Sequence, residues 1–251
     1  MSAKPNKACF FDHVLVINLD SREDRWAEMQ RQFQRFGIQG AERLSAIRPD
    51  LDILQRPELV ELHAFLRRTD GESPGLASKV RATWGCMQSH LDALRHAQRQ
   101  GWPHVLILED DCVFESYTLP VLNRVERQLR GQDWDLLYLG GTLKKKGGRK
   151  TAVSANLARV SRVRLAHAYL VSERLYSRIL DEAAASGLPL DWYYSEVLQP
   201  QVATFMVKPV LANQRLNDMS DIEAVSRRPK LKFRKALTRG WSRIRYWSEL
   251  S

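Results

Sequence analysis

Hydrophobic and polar positions along this 251-residue chain follow two periods in turn, one typical of strands and one of helices. The first apolar run, HVLVINL at His13–Leu19, is short and β-branched, so it predicts a strand. Apolar residues at helical spacing follow it as far as Gly37, with Ser21 as the expected N-cap and Asp24 completing a near capping box. The chain therefore opens with a strand–helix unit, which is typical of α/β folds.

The same alternation continues through the rest of the chain, except in residues 49–80, to which no clear pattern assigns an element. Strands are predicted at 104–108, 135–139 and 165–171, and helices at 84–100, 121–129 and 173–185. Strands that alternate with helices favour a mainly parallel sheet. The predicted fold class is therefore α/β, with one domain over residues 1–226 and a separate tail over residues 227–251.

Charge is concentrated in the tail, where nine Lys and Arg and one Glu give +8 of the total net charge of +10. The preceding domain carries only +2, so a domain-wide surface for nucleic acid is not indicated. An apolar stripe at helical spacing runs through the basic tail, at Phe233, Leu237, Trp241, Ile244 and Trp247. A basic amphipathic helix of this kind favours an anionic membrane surface. The alternatives are a helix packed on the domain and, less favoured, calmodulin-like or nucleic-acid binding.

Three features bear on the compartment. No apolar run approaches the roughly 20 residues of a membrane-spanning helix. The N-terminal residues lack the apolar core of a secretory signal. The three cysteines, Cys9, Cys86 and Cys112, do not have metal-ligand spacing, and Cys86 is most simply a small core residue. We therefore expect a cytoplasmic protein that is peripheral on the inner face of the cytoplasmic membrane.

Three adjacent carboxylates, Glu109, Asp110 and Asp111, follow the apolar run Val105–Leu108. Ligands of open α/β sheets bind beyond the carboxyl ends of the strands, where this triplet is expected to lie. In an extended segment, Glu109 and Asp111 point to one side and Asp110 to the other. Two carboxylates on one side suit a hard ion such as Mg²⁺ or Mn²⁺. A solvated acidic turn is the alternative.

Eight segments, in order, resemble glycosyltransferase family 25, which contains bacterial lipopolysaccharide and lipooligosaccharide galactosyltransferases and collagen galactosyltransferases. The strongest are TWGCMQSH followed by VLILEDDCVF, which resemble the family's Gly-Cys-x-x-Ser-His and Leu-Glu-Asp-Asp-x-x-Phe signatures. VINLDSREDRW, AERLSAI, WDLLYLGG and the late segments AHAYLVS, PLDWYYSEVL and SDI follow the family's order. The resemblance covers about residues 13–223.

The resemblance implies a GT-A-like fold and an inverting transfer of a hexose, expected to be galactose from UDP-galactose, to a lipid-linked glycan of the lipopolysaccharide type. Mn²⁺ or Mg²⁺ would be held by Asp111, with Glu109 and Asp110 sharing the metal and ribose contacts in a division that stays open. The alternatives are another UDP-sugar, or an inactive family member that binds a membrane surface.

The other candidate residues rest on the same resemblance. Asn18, Arg22 and Arg25 would contact the nucleotide, although the two arginines could equally be a solvated helix face. Ser89 and His90 would lie near the donor phosphates, where His90 is a catalytic candidate that could donate a hydrogen bond; a lone helical His is otherwise more often a core or surface group. Asp191 is the first candidate for the base, with a helix cap as the alternative reading. Asp218 and Asp221 are weaker candidates.

Overall fold

The structure, a computed structural model, describes residues 12–215. The predicted tail helix and the candidates Asp218 and Asp221 lie outside the described residues. The strands are β1 Val14–Asn18, β2 Ala41–Ser45, β3 His104–Glu109, β4 Cys112–Phe114, β5 Leu136–Tyr138, β6 Thr142–Leu143, β7 Arg149–Ala152, β8 Leu157–Ser161, β9 Val163–Arg164, β10 Ala168–Ser172, β11 Thr204–Val207 and β12 Ala212–Gln214. The α-helices are α1 Glu23–Phe36, α2 Val60–Asp70, α3 Leu76–Arg99, α4 Thr118–Leu129, α5 Tyr176–Glu182 and α6 Leu190–Tyr193.

The predicted α/β class is confirmed by a central eight-stranded sheet in the order β2-β1-β3-β10-β5-β11-β8-β7. Six of these strands run in one direction, and β10 and β8 run against them. The sheet is therefore mixed, because β10 enters antiparallel between β3 and β5. Strands β1, β2 and β3 remain mutually parallel, so their carboxyl ends meet at one edge.

Alternating side chains divide the core between the two faces of the sheet. Leu15 and Ile17 of β1 pack into a cluster that includes residues of α2, α3 and α5. Val14 and Val16 point the other way, into a cluster with residues of α1 and α4. The same alternation occurs in β3, so both faces of the sheet are apolar and helices pack on each of them. The sheet edge is therefore held between two layers of helices.

Helix α1 ends as predicted but does not begin as predicted. Gly37 takes the left-handed conformation, with φ of 61°, and closes the helix. The capping box, however, is wrong: Arg22 occupies the N-cap position, with no side-chain capping hydrogen bond. The physical reason is that both oxygens of the Asp24 carboxylate accept from Arg22, each at 3.0 Å.

Two short antiparallel pairs place side chains beside the sheet edge. Strand β12 pairs with β4, which sets Gln214 opposite Cys112, just after the acidic triplet. Strand β9 pairs with β6, which sets Arg164 opposite Thr142. Within residues 12–215, no helix combines the length and apolar character needed to cross a membrane.

Candidate active site

A cavity of about 610 Å³ opens where the carboxyl ends of β1 and β3 meet α3 and α6. Eight of the nine side chains predicted for the site line it: Arg22, Arg25, Ser89, His90, Glu109, Asp110, Asp111 and Asp191. The ninth, Asn18, is 1% exposed and lies at the end of β1. Residues far apart in sequence therefore border one space, because parallel strands end at a common edge.

Asp110 is held in place by hydrogen bonds with neighbouring side chains. We call the four residues that these bonds connect the sheet-edge network: Asn18, Arg25, Arg43 and Asp110. Asn18 Nδ2 donates to Asp110 Oδ2 at 2.7 Å, and Arg25 Nη1 donates to Asp110 Oδ1 at 2.9 Å. Arg43 Nε donates to Asn18 Oδ1 at 2.7 Å and orients that amide. Burial raises the pKa of Asp110, and the hydrogen bonds and charge from Asn18 and Arg25 oppose the rise.

Glu109 faces α3 instead of α1, as alternation along an extended segment predicts. Its Oε1 lies 3.4 Å from His90 Nε2, and its Oε2 accepts from Gln214 Nε2 at 3.3 Å. Burial alone would raise the pKa of Glu109, but its interactions with His90, His167 and Gln214 outweigh burial and lower the pKa. Glu109 is therefore a carboxylate held by long hydrogen bonds that an incoming ligand can replace.

Asp111 completes the acidic side of the cavity. Its side chain lines the cavity, and its backbone carbonyl accepts from Arg215 N at 2.8 Å. Glu109 and Asp111 thus offer carboxylate oxygens to one space, the ligand type that Mg²⁺ and Mn²⁺ prefer. The donor set fits such an ion, whereas both Asp110 oxygens are engaged by the sheet-edge network.

His90 is 1% exposed and lies between Glu109 and a chain of buried tyrosines. Its Nδ1 is 3.1 Å from the Tyr169 hydroxyl, which is 3.2 Å from the Tyr194 hydroxyl. These contacts fix the orientation of the imidazole ring, so that its Nε2 faces Glu109. Neither tyrosine was expected at the site, because no local pattern marks either hydroxyl as a neighbour of His90.

Ser89 has a structural task beside the cavity. Its hydroxyl donates to Gly85 O at 2.7 Å and accepts from Ile47 N at 2.7 Å. Gly85 lets the same loop approach closely, since a Cβ there would lie 2.5 Å from the Ile47 carbonyl oxygen. The Gly-Cys-x-x-Ser-His segment thus fixes a loop over α3 through its Gly and Ser. Contact of Ser89 with donor phosphates stays a prediction.

The predicted nucleotide contacts also stay predictions. Arg22 lines the cavity, and its guanidinium pairs with the exposed Asp24 and holds the pKa of that carboxyl at about 2. Arg25 and Asn18 are buried, with hydrogen bonds to Asp110. These three residues lie beside the cavity, and the observed bonds of Asn18 and Arg25 organise the acidic turn.

Asp191 belongs to the opposite side, which we call the α6 wall: Arg164, Leu165, Asp191 and Trp192. Asp191 lies in the first turn of α6, and the N-cap position is occupied by Pro189, with no side-chain capping hydrogen bond. Its Oδ2 is 3.5 Å from Arg164 Nη1 and accepts from Leu165 N at 3.4 Å. Burial raises the pKa of Asp191, and the Arg164 guanidinium opposes that rise.

Two further features mark the α6 wall. Leu165 has φ of 76°, a left-handed conformation that costs a non-glycine residue about 1–3 kcal/mol. The Arg164 guanidinium lies 3.3 Å from the centre of the Trp192 ring. Trp192 lines the cavity, whereas Tyr193 is buried and donates to Glu182 at 2.9 Å. Of the two aromatic candidates for sugar contact, only Trp192 borders the cavity.

A basic stretch of the cavity was missed from the sequence. Arg48, Lys79 and Arg81 line it, the last two from α3. The sequence did contain a signal for the face of α3 that borders the cavity. Lys79, Thr83, Cys86 and His90 recur at spacings of 4, 3 and 4, which puts them on one helix face, and all four border the cavity. Cys86, expected in the core, is half-buried at the cavity, and burial raises the pKa of its thiol.

Comparison with known proteins relates this chain to one family. The model of glycosyltransferase family 25 (LPS biosynthesis protein) matches residues 11–191. A glycosyltransferase 25 family member from Drosophila melanogaster is 30% identical over 142 residues, covering 56% of this chain and 23% of the relative. A human protein named inactive glycosyltransferase 25 family member 3 is 30% identical over 150 residues, covering 55% of this chain and 23% of the relative. The chain spans about a quarter of the length of these curated relatives.

A solved structure gives a weaker likeness. The crystal structure of mannose-1-phosphate geranyltransferase from Thermus thermophilus is 13% identical, with a TM-score of 0.33, and the match covers 78% of this chain and 73% of that one. The score is too low for a conclusion about the site.

Proposed function

The chain belongs to glycosyltransferase family 25, and from that premise we propose that it is an inverting, metal-dependent hexosyltransferase with a GT-A-like fold. The proposed donor is UDP-galactose, and the proposed acceptor is a lipid-linked glycan of the lipopolysaccharide or lipooligosaccharide type. One observation carries the proposal: a single cavity is bordered by the acidic pair Glu109 and Asp111, by His90 and by Asp191. The family description as an LPS biosynthesis protein supports the acceptor class.

The acidic side of the cavity is the proposed donor side. Glu109 and Asp111 would hold Mn²⁺ or Mg²⁺, and the engagement of Asp110 by Asn18 and Arg25 supports this pair over the other choices. When bound, such an ion would neutralise the diphosphate and favour departure of UDP. Arg48 and Arg81 add positive charge to the same cavity and favour an anionic donor, whereas the charge of Lys79 is offset by Asp70 at 2.7 Å.

Asp191 is the proposed base. In an inverting transfer, the acceptor oxygen attacks the anomeric carbon, the bond from that carbon to the phosphate oxygen breaks, and UDP leaves with the electron pair. The acceptor hydroxyl proton goes to the Asp191 carboxylate. Burial supports the role, because a carboxylate whose pKa is raised is a stronger base than one in water. Its place at the cavity, away from the N-cap, also favours the base over the capping alternative.

The test is UDP release from UDP-galactose in the presence of glycan acceptors and Mn²⁺, with and without a chelator. We expect chelator-sensitive turnover that Asp111→Asn lowers by about 10²-fold or more, since a metal ligand and its transition-state charge are lost. Asp181→Asn, an exposed carboxylate on α5, is the matched control and should leave turnover unchanged. No chelator-sensitive turnover with UDP-galactose, UDP-glucose or other UDP-sugars would contradict the proposal.

An inactive, membrane-surface binding protein is the second candidate, favoured by the name of the human relative. It predicts liposome binding with no turnover for any donor. The transferase proposal includes membrane attachment on the cytoplasmic face through residues 227–251, and it does not include nucleic-acid binding. Deleting those residues should abolish binding to anionic liposomes and leave turnover on a soluble acceptor. Loss of RNA or DNA binding on the same deletion would favour a nucleic-acid role of the tail instead.

A further inference from the structure

Three side chains of different chemistry converge beside the cavity, and we call them the Cys–His–Glu cluster: Cys86, His90 and Glu109. Cys86 and His90 are one helical turn apart on α3, so they share a helix face, and Glu109 is the last residue of β3. One ligand atom from each residue lies within 4.8 Å of the other two. Among residues 12–215, this is the one group of three or more His, Cys, Asp or Glu that meets that distance.

The ligand types of the cluster select a class of ion. A thiolate and an imidazole suit Zn²⁺ and similar borderline-soft ions, whereas Mg²⁺ and Mn²⁺ prefer oxygen ligands. Three protein ligands with a fourth position left open is the arrangement of catalytic zinc sites. All three residues line the cavity, so a fourth position would face it.

Distances in the cluster are close to those around a tetrahedral ion. With bonds of about 2.0–2.3 Å, ligand atoms on Zn²⁺ lie roughly 3.3–3.7 Å apart. The 3.4 Å between His90 Nε2 and Glu109 Oε1 is already in that range. The thiol lies within 4.8 Å of the other two atoms, so it needs to approach by no more than about 1 Å, which a rotation of the Cys86 side chain can supply.

Neighbouring groups hold two of the three ligands in orientation. If His90 Nδ1 donates to the Tyr169 hydroxyl, 3.1 Å away, the lone pair of Nε2 is directed at the cluster. Gln214 Nε2 donates to Glu109 Oε2 and leaves Oε1 toward His90. Outer partners that fix the ring and the carboxylate in this way are typical of metal ligands.

We propose that Cys86, His90 and Glu109 form a binding site for one borderline-soft divalent ion, with Zn²⁺ the best fit, and with a fourth coordination position open to the cavity. Binding replaces the thiol proton of Cys86, which is released to solvent. The site shares His90 and Glu109 with the proposed transfer site, and Glu109 also belongs to the proposed Mn²⁺ pair. Zn²⁺ bound here would therefore compete with Mn²⁺ for one carboxylate.

The test is a titration of the full, reduced, chelator-treated chain with Co²⁺, whose thiolate complexes absorb in the near ultraviolet and whose tetrahedral complexes absorb in the visible. We expect one equivalent to bind with both bands and one equivalent of Zn²⁺ to remove them. Cys86→Ser should abolish the thiolate band, and His90→Gln should weaken binding. Tyr169→Phe should weaken it by about 10–100-fold, the usual cost of losing an outer partner.

Matched controls separate this site from other thiols and from the proposed Mn²⁺ site. Cys9→Ser, Cys112→Ser and Asp111→Asn should each keep the band. A band that survives Cys86→Ser, or no binding of Co²⁺ and Zn²⁺ by the wild-type chain, would overturn the proposal. A measurement without any variant guards against misfolding: Zn²⁺ should slow alkylation of Cys86, mapped by mass spectrometry, and an unchanged rate would also overturn it.

The outcomes for the two proposals are distinguishable. If the cobalt bands appear but no sugar is transferred, the ion site is supported and the proposed function is contradicted. If transfer is present, Zn²⁺ should inhibit the Mn²⁺-dependent rate, and Cys86→Ser should relieve the inhibition. Equal inhibition of the wild type and Cys86→Ser would place the inhibitory ion elsewhere and count against competition through Glu109.

Discussion

Two aspartates border the cavity, Asp110 in the sheet-edge network and Asp191 on the α6 wall, and their surroundings differ. Asp110 accepts short hydrogen bonds of 2.7 and 2.9 Å from Asn18 and Arg25, and its side chain is 10% exposed. Asp191 has contacts of 3.4 and 3.5 Å with Leu165 and Arg164, and its side chain is 29% exposed. Burial raises the pKa of both.

The difference separates a structural carboxylate from one that is available for chemistry. Short, charge-assisted bonds to both oxygens leave Asp110 little capacity to accept a further proton or ligand. Long bonds to one oxygen leave Asp191 able to accept a proton with little rearrangement. The backbone beside Asp191 is also strained at Leu165, and such strain clusters at functional sites. A raised pKa alone does not identify a base, because the two aspartates share it.

Asp191→Asn is the change with the largest expected effect on this comparison. If Asp191 is the base, turnover should fall by about 10²–10⁴-fold, because the acceptor proton loses its receptor. UDP affinity, measured by calorimetry, should change little. Stability to urea should change by less than about 1 kcal/mol, since no short bond is lost.

Its matched control is Glu196→Gln, which removes a carboxylate that follows α6 and pairs with Lys144 and Arg162 outside the cavity. That variant should keep most of its turnover. A collapse of UDP binding in Asp191→Asn would instead make Asp191 a structural residue like Asp110, and the contrast between the two aspartates would disappear.

Arg25→Met tests the other half of the comparison. Removing one partner leaves the Asp110 charge buried with Asn18 alone, so the free energy of unfolding should fall by about 3–5 kcal/mol. Arg31→Met, on the same helix, breaks an exposed pair with Glu28 and should cost no more than about 1 kcal/mol. Urea unfolding at neutral pH measures both free energies. Similar losses in the two variants would show that the sheet-edge network stabilises the fold no more than an exposed ion pair does.

The pH dependence of the Arg25→Met loss has a definite sign. Arg25 lowers the pKa of Asp110, so its removal raises that pKa further above the value in the unfolded chain. A raised folded-state pKa penalises the folded state at high pH; the penalty shrinks as pH falls through that pKa and is gone below the unfolded-state pKa. The deficit relative to wild type should therefore shrink as the pH is lowered from neutral through that pKa, and a growing deficit would contradict the assignment.

Sequence reasoning located the acidic side of the site because its signals are local. The apolar run of β3 ends at Glu109, and parallel pairing with β1 brings the end of that strand to the same edge. Alternation correctly separated Asp110 from Glu109, which meet α1 and α3 respectively. These patterns were enough to predict the fold class and to predict that the main candidate residues border one cavity.

The remainder depended on contacts that no local pattern encodes. Asp110 meets Arg25 across 85 positions, because α1 packs beside the sheet edge. Gln214 reaches Glu109 only through the pairing of β12 with β4. Residues 49–80 gave no clear pattern because helix α2 lacks a sequence signal for its start: Leu59 occupies the N-cap position, with no side-chain capping hydrogen bond. The helix is instead held by packing in the same core cluster as α3. Polar residues within apolar runs, such as Tyr169, take their roles from tertiary partners.

Arg164→Gln gives the smallest and most specific effect. The guanidinium lowers the pKa of Asp191, so its loss should raise that pKa. Since the base must be deprotonated, the acidic limb of kcat/KM should move to higher pH when the guanidinium 3.5 Å from Asp191 Oδ2 is removed. Arg164→Lys keeps the charge and should leave the limb near its wild-type position, even if lost contact with Trp192 lowers the maximum rate. If the acidic limb of Arg164→Gln stays in place or moves to lower pH, the titrating base is not Asp191. The contrast between a reactive aspartate on the α6 wall and a structural one in the sheet-edge network would then be lost.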